Sequence, residues 1–545
     1  MAKAYFIKTL FLFLYRILFR KLKSLRRSLS NSPLFSQSSS FKTYQKYPSL
    51  SHRLSSDLTN STMMFNMEGA LLRSSSLFPY FMLVAFEAGG LFRSIVLLLS
   101  YPFICLLSQE MGLKWMVMIC FFGIKKESFR VGTAVLPKFY LEDVGFEMFE
   151  LLQKGSKRVA LTNFPVVMVE SFLRDYLQFD CVVGRELKVF HGYFSGLMED
   201  DNKYIPSNIL EENLITTVGP DIHDHDHDHH DMIGVTNFNA TFSHNELLSC
   251  CKDVFFVSET DKKNWQTLPR ERYPKPLIFH DGRLALRPSP LASLEALMWG
   301  PIGFTLGLVR IIVALSLPYD ISSPILAFSG LCLTTKKPST EGPLNPNCKP
   351  KGVVYVCNHR TLVDPLYIAF SLKNNLTALT YSLSRLSEIL APIRTVRLTR
   401  NRDQDSKKME ELLSKGDLVV CPEGTTCREP YLLRFSPLFS EIADEIVPVA
   451  VTTHVSMFHG TTAGGLKCLD PIFFLMNPTP IYTVQLLEKI SGLSTRHDCS
   501  KSRYDVANEV QSELGKALGY ECTALTRRDK YLILAGNEGV VTCTK

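Results

Sequence analysis

A chain of 545 residues, 46% apolar and 21% charged, exceeds what one hydrophobic core ordinarily supports, so two domains are expected. Fourteen cysteines fall without regular spacing and without a Cys-x-x-Cys pair, which argues against a disulfide framework or a zinc finger and favours a reducing compartment. The net charge of +7 is unevenly placed. Residues 1–56 hold eleven Lys and Arg and no acid, leaving a net −4 for residues 57–545, so the basicity belongs to a terminal arm, and no nucleic-acid partner is expected.

In chain order, residues 5–19 are rich in Phe and Leu but interrupted by Lys8 and Arg16, too short and too broken for a span. They suit a basic helix lying in a bilayer interface, followed by a Ser-rich linker over 28–56. An organelle transit peptide has the same composition. The expected location is therefore a membrane, the endoplasmic reticulum with a cytosolic catalytic face, with the mitochondrion as the alternative.

Residues 57–290 read as a separate unit. Thr62-Met63-Met64-Phe65 is a strand running into Asn66-Met67-Glu68-Gly69-Ala70-Leu71-Leu72. That segment is similar to the first motif of haloacid-dehalogenase (HAD)-type phosphatases, Asp-x-Asp-Gly-Thr-Leu-Leu, with Asn66, Glu68 and Ala70 at the chemical positions. Asn66 has a neutral amide that cannot form an aspartyl-phosphate. Arg158-Val159-Ala160-Leu161-Thr162-Asn163 resembles the second-motif strand, which ends in a phosphate-binding Thr. The family's late acidic motif falls best on 239–244, where both carboxylates are missing, and magnesium prefers anionic oxygen ligands. The resemblance implies a phosphatase fold without phosphatase chemistry, and no metal.

Three apolar segments bear on membranes. Residues 77–107 are broken by Glu87, Arg93 and Pro102, residues 112–124 are short, and residues 290–317 contain Glu295 and Arg310. Ionisable groups are costly in hydrocarbon, so these read as helices lying in the interface rather than as true spans, with 290–317 docking the catalytic half. The His/Asp run over 222–231 has metal-ligand side chains but no second-shell support, and reads as a solvated loop.

Residues 291–545 carry the chemistry. A short apolar strand over 352–357 leads into Asn358-His359-Arg360-Thr361-Leu362-Val363-Asp364. A histidine at a strand end with a carboxylate five positions on is a general base with its orienting partner: the acid fixes one ring nitrogen and the other takes a proton from an alcohol. The bland alternative is a chance His and Asp in a loop. Three later segments weigh against it: Arg394-Thr395-Val396-Arg397-Leu398-Thr399-Arg400 on a strand edge, the strand 418–421 running into Pro422-Glu423-Gly424-Thr425-Thr426-Cys427-Arg428, and the apolar strand 446–451, whose Pro448 suits an edge or strand end.

Order and spacing resemble the four motifs of the glycerolipid acyltransferases. The resemblance implies that His359 deprotonates the acceptor hydroxyl, that Asp364 holds its imidazole, and that the oxygen attacks an acyl thioester directly; no Ser or Cys sits in a Gly-x-Ser-x-Gly elbow. It further implies that Glu423, Gly424 and Thr425 shape the acceptor-phosphate site, with Arg397, Arg400 and Arg428 as candidate phosphate ligands, since an arginine fork suits a phosphate. The chain departs from the pattern where Thr426 and Cys427 separate Thr425 from Arg428.

A phosphatase-like half joined to an acyltransferase half, with long similar runs such as residues 76–90, resembles the land-plant glycerol-3-phosphate acyltransferases of cutin and suberin synthesis. This implies an α/β architecture of two domains: a HAD-like Rossmannoid domain and a PlsC-type acyltransferase domain with membrane-associated helices. It implies acyl-CoA and glycerol 3-phosphate as substrates, a lipid bilayer as partner, no cofactor, and a product that keeps its phosphate. Lysophosphatidate as acceptor and a silent membrane scaffold are the competing readings.

Overall fold

The computed structural model describes residues 61–199, 232–237, 248, 251–338, 352–380, 388, 393–399, 401–443, 445–491 and 502–539, together with the backbone of 45–46. The basic arm apart from those two residues, the His/Asp run, residues 239–244 and Arg400 lie outside them. The chain divides into two compact units, Met1–Leu277 with Arg287–Glu295, and Ile278–Leu286 with Ala296–Lys545.

The first unit contains β1 (Gln45–Lys46), β2 (Thr62–Asn66), β3 (Lys157–Leu161), β4 (Cys181–Val183), the hairpin strands β5 (Leu187–Phe190) and β6 (Tyr193–Met198), β7 (Met232–Thr236) and β8 (Asp253–Phe256). Six of them form a parallel sheet in the order β1-β8-β7-β2-β3-β4. All five residues of β2 are buried, as a central parallel strand covered on both faces requires. Met64 packs with Val159, Leu161, Leu248 and Val254. Helices α1 (Phe78–Ile104) and α2 (Gln109–Phe121) follow β2. Gly90, at φ +77°, breaks α1; the turns before it are buried, whereas Leu91, Phe92, Leu99 and Phe103 beyond it are exposed. Arg93 donates to the carbonyls of Ile119 and Cys120, so its charge is satisfied between the two helices.

The second unit runs α3 (Pro290–Ser316, from Ala296 onward), α4 (Tyr319–Phe328), β9 (Cys332–Lys336), β10 (Val354–Cys357), α5 (Asp364–Leu372), β11 (Thr377–Thr380), β12 (Arg394–Arg397), α6 (Arg402–Leu413), β13 (Leu418–Val420), β14 (Tyr431–Leu432), β15 (Glu445–His454), α7 (Asp470–Leu475), β16 (Ile481–Leu486), β17 (Ile490–Ser491), α8 (Arg503–Leu518), β18 (Glu521–Cys522) and α9 (Arg527–Ala535). Its main sheet has the order β12-β11-β13-β10-β15-β16-β9, with β17 beside β15. The strands from β12 to β15 are parallel and β16 is antiparallel to β15. The three strands that lead into or form the first, third and fourth motifs are thus neighbours, and the turns that follow β10 and β13 emerge at one edge, where open α/β sheets bind ligands.

Pro448 departs from expectation. It lies inside β15, opposite Val356 of β10, and not at an edge. On its other flank β15 pairs with β17 through Glu445 and Ile446 and with β16 from Val449 onward. The missing N–H therefore falls at the junction between two partner strands, where no ladder donor is required.

Arg310, inside an otherwise apolar helix, faces the protein. It is almost fully buried and donates to the carbonyls of Leu475, Asn477, Pro478 and Ser329 and to the Ser329 hydroxyl. Trp299 adds a bond from Nε1 to the Met476 carbonyl at 2.7 Å. The face left open carries Ile302, Phe304, Leu308, Val309, Ile312 and Leu315, continued on α4 by Ile321, Ile325 and Phe328. Both α1 and α3 are long and apolar enough to cross a membrane.

Candidate active site

The turn after β10 is built around Asp364. This carboxylate, fully buried at the start of α5, faces His359 Nδ1 across 2.9 Å through Oδ2. The same oxygen accepts from the backbone N–H of Arg360 at 2.6 Å and of Thr361 at 3.0 Å. Its Oδ1 accepts from the Thr361 hydroxyl at 2.7 Å and from the Tyr482 hydroxyl. Tyr482, on β16, stacks on Tyr367 of α5 with ring centroids 4.0 Å apart. The acid is fixed by its own turn and by β16, and through it the imidazole.

Asn358 anchors the other end of the turn. Its amide donates to the Val451 carbonyl at 2.9 Å and accepts from the Val451 N–H at 2.7 Å, extending the β10–β15 ladder by a side chain. Glu423, beyond β13, accepts from the N–H of His359 at 2.7 Å and of Leu433 at 3.0 Å. Burial pushes its pKa up to about 7 despite those two donors. His359 and Asp364 thus converge with Glu423, and Glu423 acts as a staple on the histidine's backbone.

Burial works against a charged His359, but the Cys421 sulfur in hydrogen-bond contact with the ring and the Asp364 carboxylate outweigh it, holding its pKa well above the ordinary histidine range. The Cys421 and Cys357 sulfurs lie 3.4 Å apart; that contact, with the nearby imidazole, lowers the Cys421 pKa to about 6 against the effect of burial.

Gly424 adopts φ +66°, a left-handed turn that a side chain would strain. Lys530, buried on α9, reaches the Thr426 carbonyl and the hydroxyls of Thr426 at 3.1 Å and Thr425 at 3.4 Å; burial lowers its pKa to about 8. Beside Gly424 opens a hollow of about 570 Å³, whose lining includes Arg402, Arg503, Arg527 and Arg528 together with Glu441 and Glu538.

Of the expected phosphate arginines, the two described ones, Arg397 and Arg428, lie apart. Arg428 donates to the Thr461 hydroxyl at 2.8 Å and the Gly282 carbonyl at 2.9 Å, and lies 3.6 Å from Asp281. Asp281 belongs to Ile278–Leu286 and accepts from the N–H groups of Ala463 and Gly464, so Arg428 ties that segment down. Arg397, on edge strand β12, pairs with Glu388 at 2.9 Å. That strand lies three places from β10, about 14 Å away at ordinary strand spacing. Sequence reasoning missed Tyr482 and Lys530 altogether, and it missed Cys421 as a neighbour of the histidine.

In the first unit, Asn66 caps the turn after β2 by accepting from the Gly69 N–H at 2.8 Å. Glu68 Oε1 accepts from the Thr162 hydroxyl at 2.5 Å and the N–H groups of Asn163 and Phe164 at 2.9 and 3.1 Å. Those donors, at a strand end, are what a phosphate would use, and the protein's own carboxylate takes them. Lys262 is spent on the Glu68 carbonyl at 2.9 Å. Among the described residues the ligand set is poor for magnesium: Asn66 brings no charge, and Glu68 Oε1 is turned onto three donors.

Comparison with known proteins matches each half of the chain to a family. Residues 62–257 match the family described as "Glycerol-3-phosphate acyltransferase RAM2-like, HAD-like domain", and residues 344–455 match the one described as "Acyltransferase". The chain is 55% identical over 545 residues to "Probable glycerol-3-phosphate acyltransferase 2" of Arabidopsis thaliana, with 98% of each chain covered. It is 52% identical over 544 residues to "Probable glycerol-3-phosphate acyltransferase 3" of the same plant, covering 99% of each. To "Glycerol-3-phosphate acyltransferase 1" it is 47% identical over 504 residues, covering 90% of this chain and 83% of that one. With both halves matched and the identity running nearly end to end, the chain belongs to the land-plant glycerol-3-phosphate acyltransferase family, a HAD-like domain preceding an acyltransferase domain.

Proposed function

We propose that the second unit moves an acyl group from acyl-CoA to a hydroxyl of glycerol 3-phosphate, giving lysophosphatidate. The observation that carries this reading is the 2.9 Å contact between His359 Nδ1 and an Asp364 whose other oxygen is held by Thr361 and Tyr482. With Nδ1 committed, Nε2 of the neutral imidazole, whose share grows as pH rises toward the raised His359 pKa, takes the hydroxyl proton as the oxygen attacks the thioester carbonyl. Collapse of the tetrahedral intermediate breaks the carbon–sulfur bond, and the leaving thiolate takes the proton back from the imidazolium. The cycle closes without a cofactor. The Gly424–Thr425 turn and the neighbouring arginine-lined hollow supply the setting for the acceptor's phosphate.

The first unit leaves that phosphate in place, because Asn66 cannot be phosphorylated and Glu68 fills the anion cradle. The α3–α4 surface rests on a bilayer, in keeping with nine exposed apolar side chains opposite a buried Arg310; we place the protein at the endoplasmic reticulum membrane.

The test is the full chain in phospholipid vesicles with radiolabelled glycerol 3-phosphate and acyl-CoA, the products separated by thin-layer chromatography. Labelled lysophosphatidate is expected. Labelled monoacylglycerol would overturn the silent phosphatase half. Faster use of lysophosphatidate than of glycerol 3-phosphate would replace the acceptor, and no transfer to either would leave the scaffold reading.

A further inference from the structure

Cys357 and Cys421 end neighbouring parallel strands. The β10–β13 register pairs Val354 with Leu418, Tyr355 with Val419 and Val356 with Val420, so the next step sets the two cysteines side by side. Both are free thiols, and each stands two residues before a residue of the site, His359 and Glu423. Their sulfurs, at 3.4 Å, already face each other. A disulfide needs about 2.05 Å between sulfurs and Cα atoms roughly 4.4–6.8 Å apart, and adjacent strands run about 4.8 Å apart. Small χ1 rotations would close the bond without unpairing the sheet.

We propose that Cys357 and Cys421 form a thiol-oxidation site at the heart of the active centre, closed to a disulfide by peroxide. The Cys421 thiolate attacks one peroxide oxygen, the O–O bond breaks, and the departing hydroxide takes a proton to become water. Cys421 is then a sulfenic acid. The Cys357 sulfur attacks the Cys421 sulfur and displaces hydroxide, which leaves as a second water with the Cys357 proton. Two thiols have given two electrons to one peroxide, and a dithiol reductant reverses the change.

The order of events follows from exposure. Cys357 is fully buried, whereas Cys421 is partly exposed and meets the oxidant first. Its low thiol pKa, about 6, keeps the reactive thiolate populated at neutral pH. Nearby Cys427 is an internal contrast, since burial pushes its thiol up to about 12 and leaves it inert. Closing the disulfide removes the Cys421 sulfur from the His359 ring and ties together the two strand ends that carry the base and its staple. That last consequence rests on the reading of His359 given above; the oxidation itself does not.

The experiment treats the full chain with hydrogen peroxide, alkylates it, digests it with trypsin without reduction, and measures peptide masses and acyl transfer on the same sample. The expected result is peptide 352–360 joined to peptide 416–428 through Cys357 and Cys421, lighter by two hydrogens and lost on dithiothreitol. Transfer should fall at least about tenfold and return with the reductant. The Cys357→Ala variant should show no joined peptide and should trap a sulfenic acid at Cys421 with dimedone. Oxidation at Cys421 with no link to Cys357, or resistance of both thiols to peroxide, would overturn the proposal. So would a joined peptide that leaves transfer unchanged. A joined peptide in a protein that transfers nothing even when reduced would leave the oxidation site standing and remove the acyltransfer reading instead.

Discussion

Replacing Glu423 by glutamine separates the cost of a buried charge from the work that charge does. In the unfolded chain the carboxyl loses its proton near its ordinary 4.5, and in the fold near 7, because burial disfavours the anion more than the His359 and Leu433 N–H groups favour it. Between those values the folded state holds the extra proton. The group's stabilising contribution is therefore complete below pH 4.5 and is lost as pH rises through 7. At about 1.36 kcal/mol per pH unit the loss is roughly 3 kcal/mol, on the order of 100-fold in the unfolding equilibrium. Glutamine cannot titrate, so its variant lacks this slope: between pH 4.5 and pH 8 it gains on the parent by about that amount, on top of a pH-independent cost of about 1–3 kcal/mol for the N–H its amide cannot serve. It should also be the slower catalyst at pH 8, since one amide oxygen serves only one of the two N–H donors and the amide nitrogen opposes the other. Urea-dependent hydrogen exchange of the β10 and β13 peptides at low and high pH, read by mass spectrometry, gives the stability of this unit directly. Parallel loss of stability in parent and variant across that range would refute the reasoning.

Other consequences are equally specific. Asp364→Asn should slow transfer by about 10²–10⁴ and move the acid limb of the kcat/KM profile to lower pH, because it removes one of the charges that hold the His359 pKa up; a limb that stays in place contradicts this. Arg310→Met strips the donors from four carbonyls and one hydroxyl and should cost about 3–5 kcal/mol, seen as lost exchange protection in α3 and α7; a change under about 1 kcal/mol would mean those acceptors find other partners. Ile312→Asp combined with Phe328→Asp should weaken flotation with phospholipid vesicles at least about tenfold, since each apolar side chain buried in lipid contributes about 1.5–3 kcal/mol; unchanged flotation would move the membrane contact elsewhere.

The sequence exposed what is local and concealed what is not. Continuous apolar runs marked β2, β10, β13 and β15, because parallel strands covered on both faces need such runs. The five-residue spacing of His359 and Asp364 was legible because both lie on one turn. Glu68 was visible as a substitution, but its capture of the Thr162 donors, 94 residues away, left no local trace. Tyr482 reaches Asp364 across 118 residues and Lys530 reaches Thr426 across 104, and nothing in either neighbourhood announces the contact. The surroundings of Arg428 were hidden for the same reason. Arg428 follows the third motif closely, yet its partners come from Ile278–Leu286 and the loop at Thr461. Pro448 suggested an edge because pairing was considered strand by strand, and only the junction of β17 and β16 shows why an interior strand tolerates it.

The role of the imidazole is tested most directly by the single-turnover rate of acyl transfer to glycerol 3-phosphate in His359→Ala, compared with the parent at equal vesicle loading and equal exchange protection of β10. A loss of about 10²–10⁴ is predicted, the usual worth of a positioned general base. A rate within about twofold of the parent would show that the acceptor proton leaves by another route.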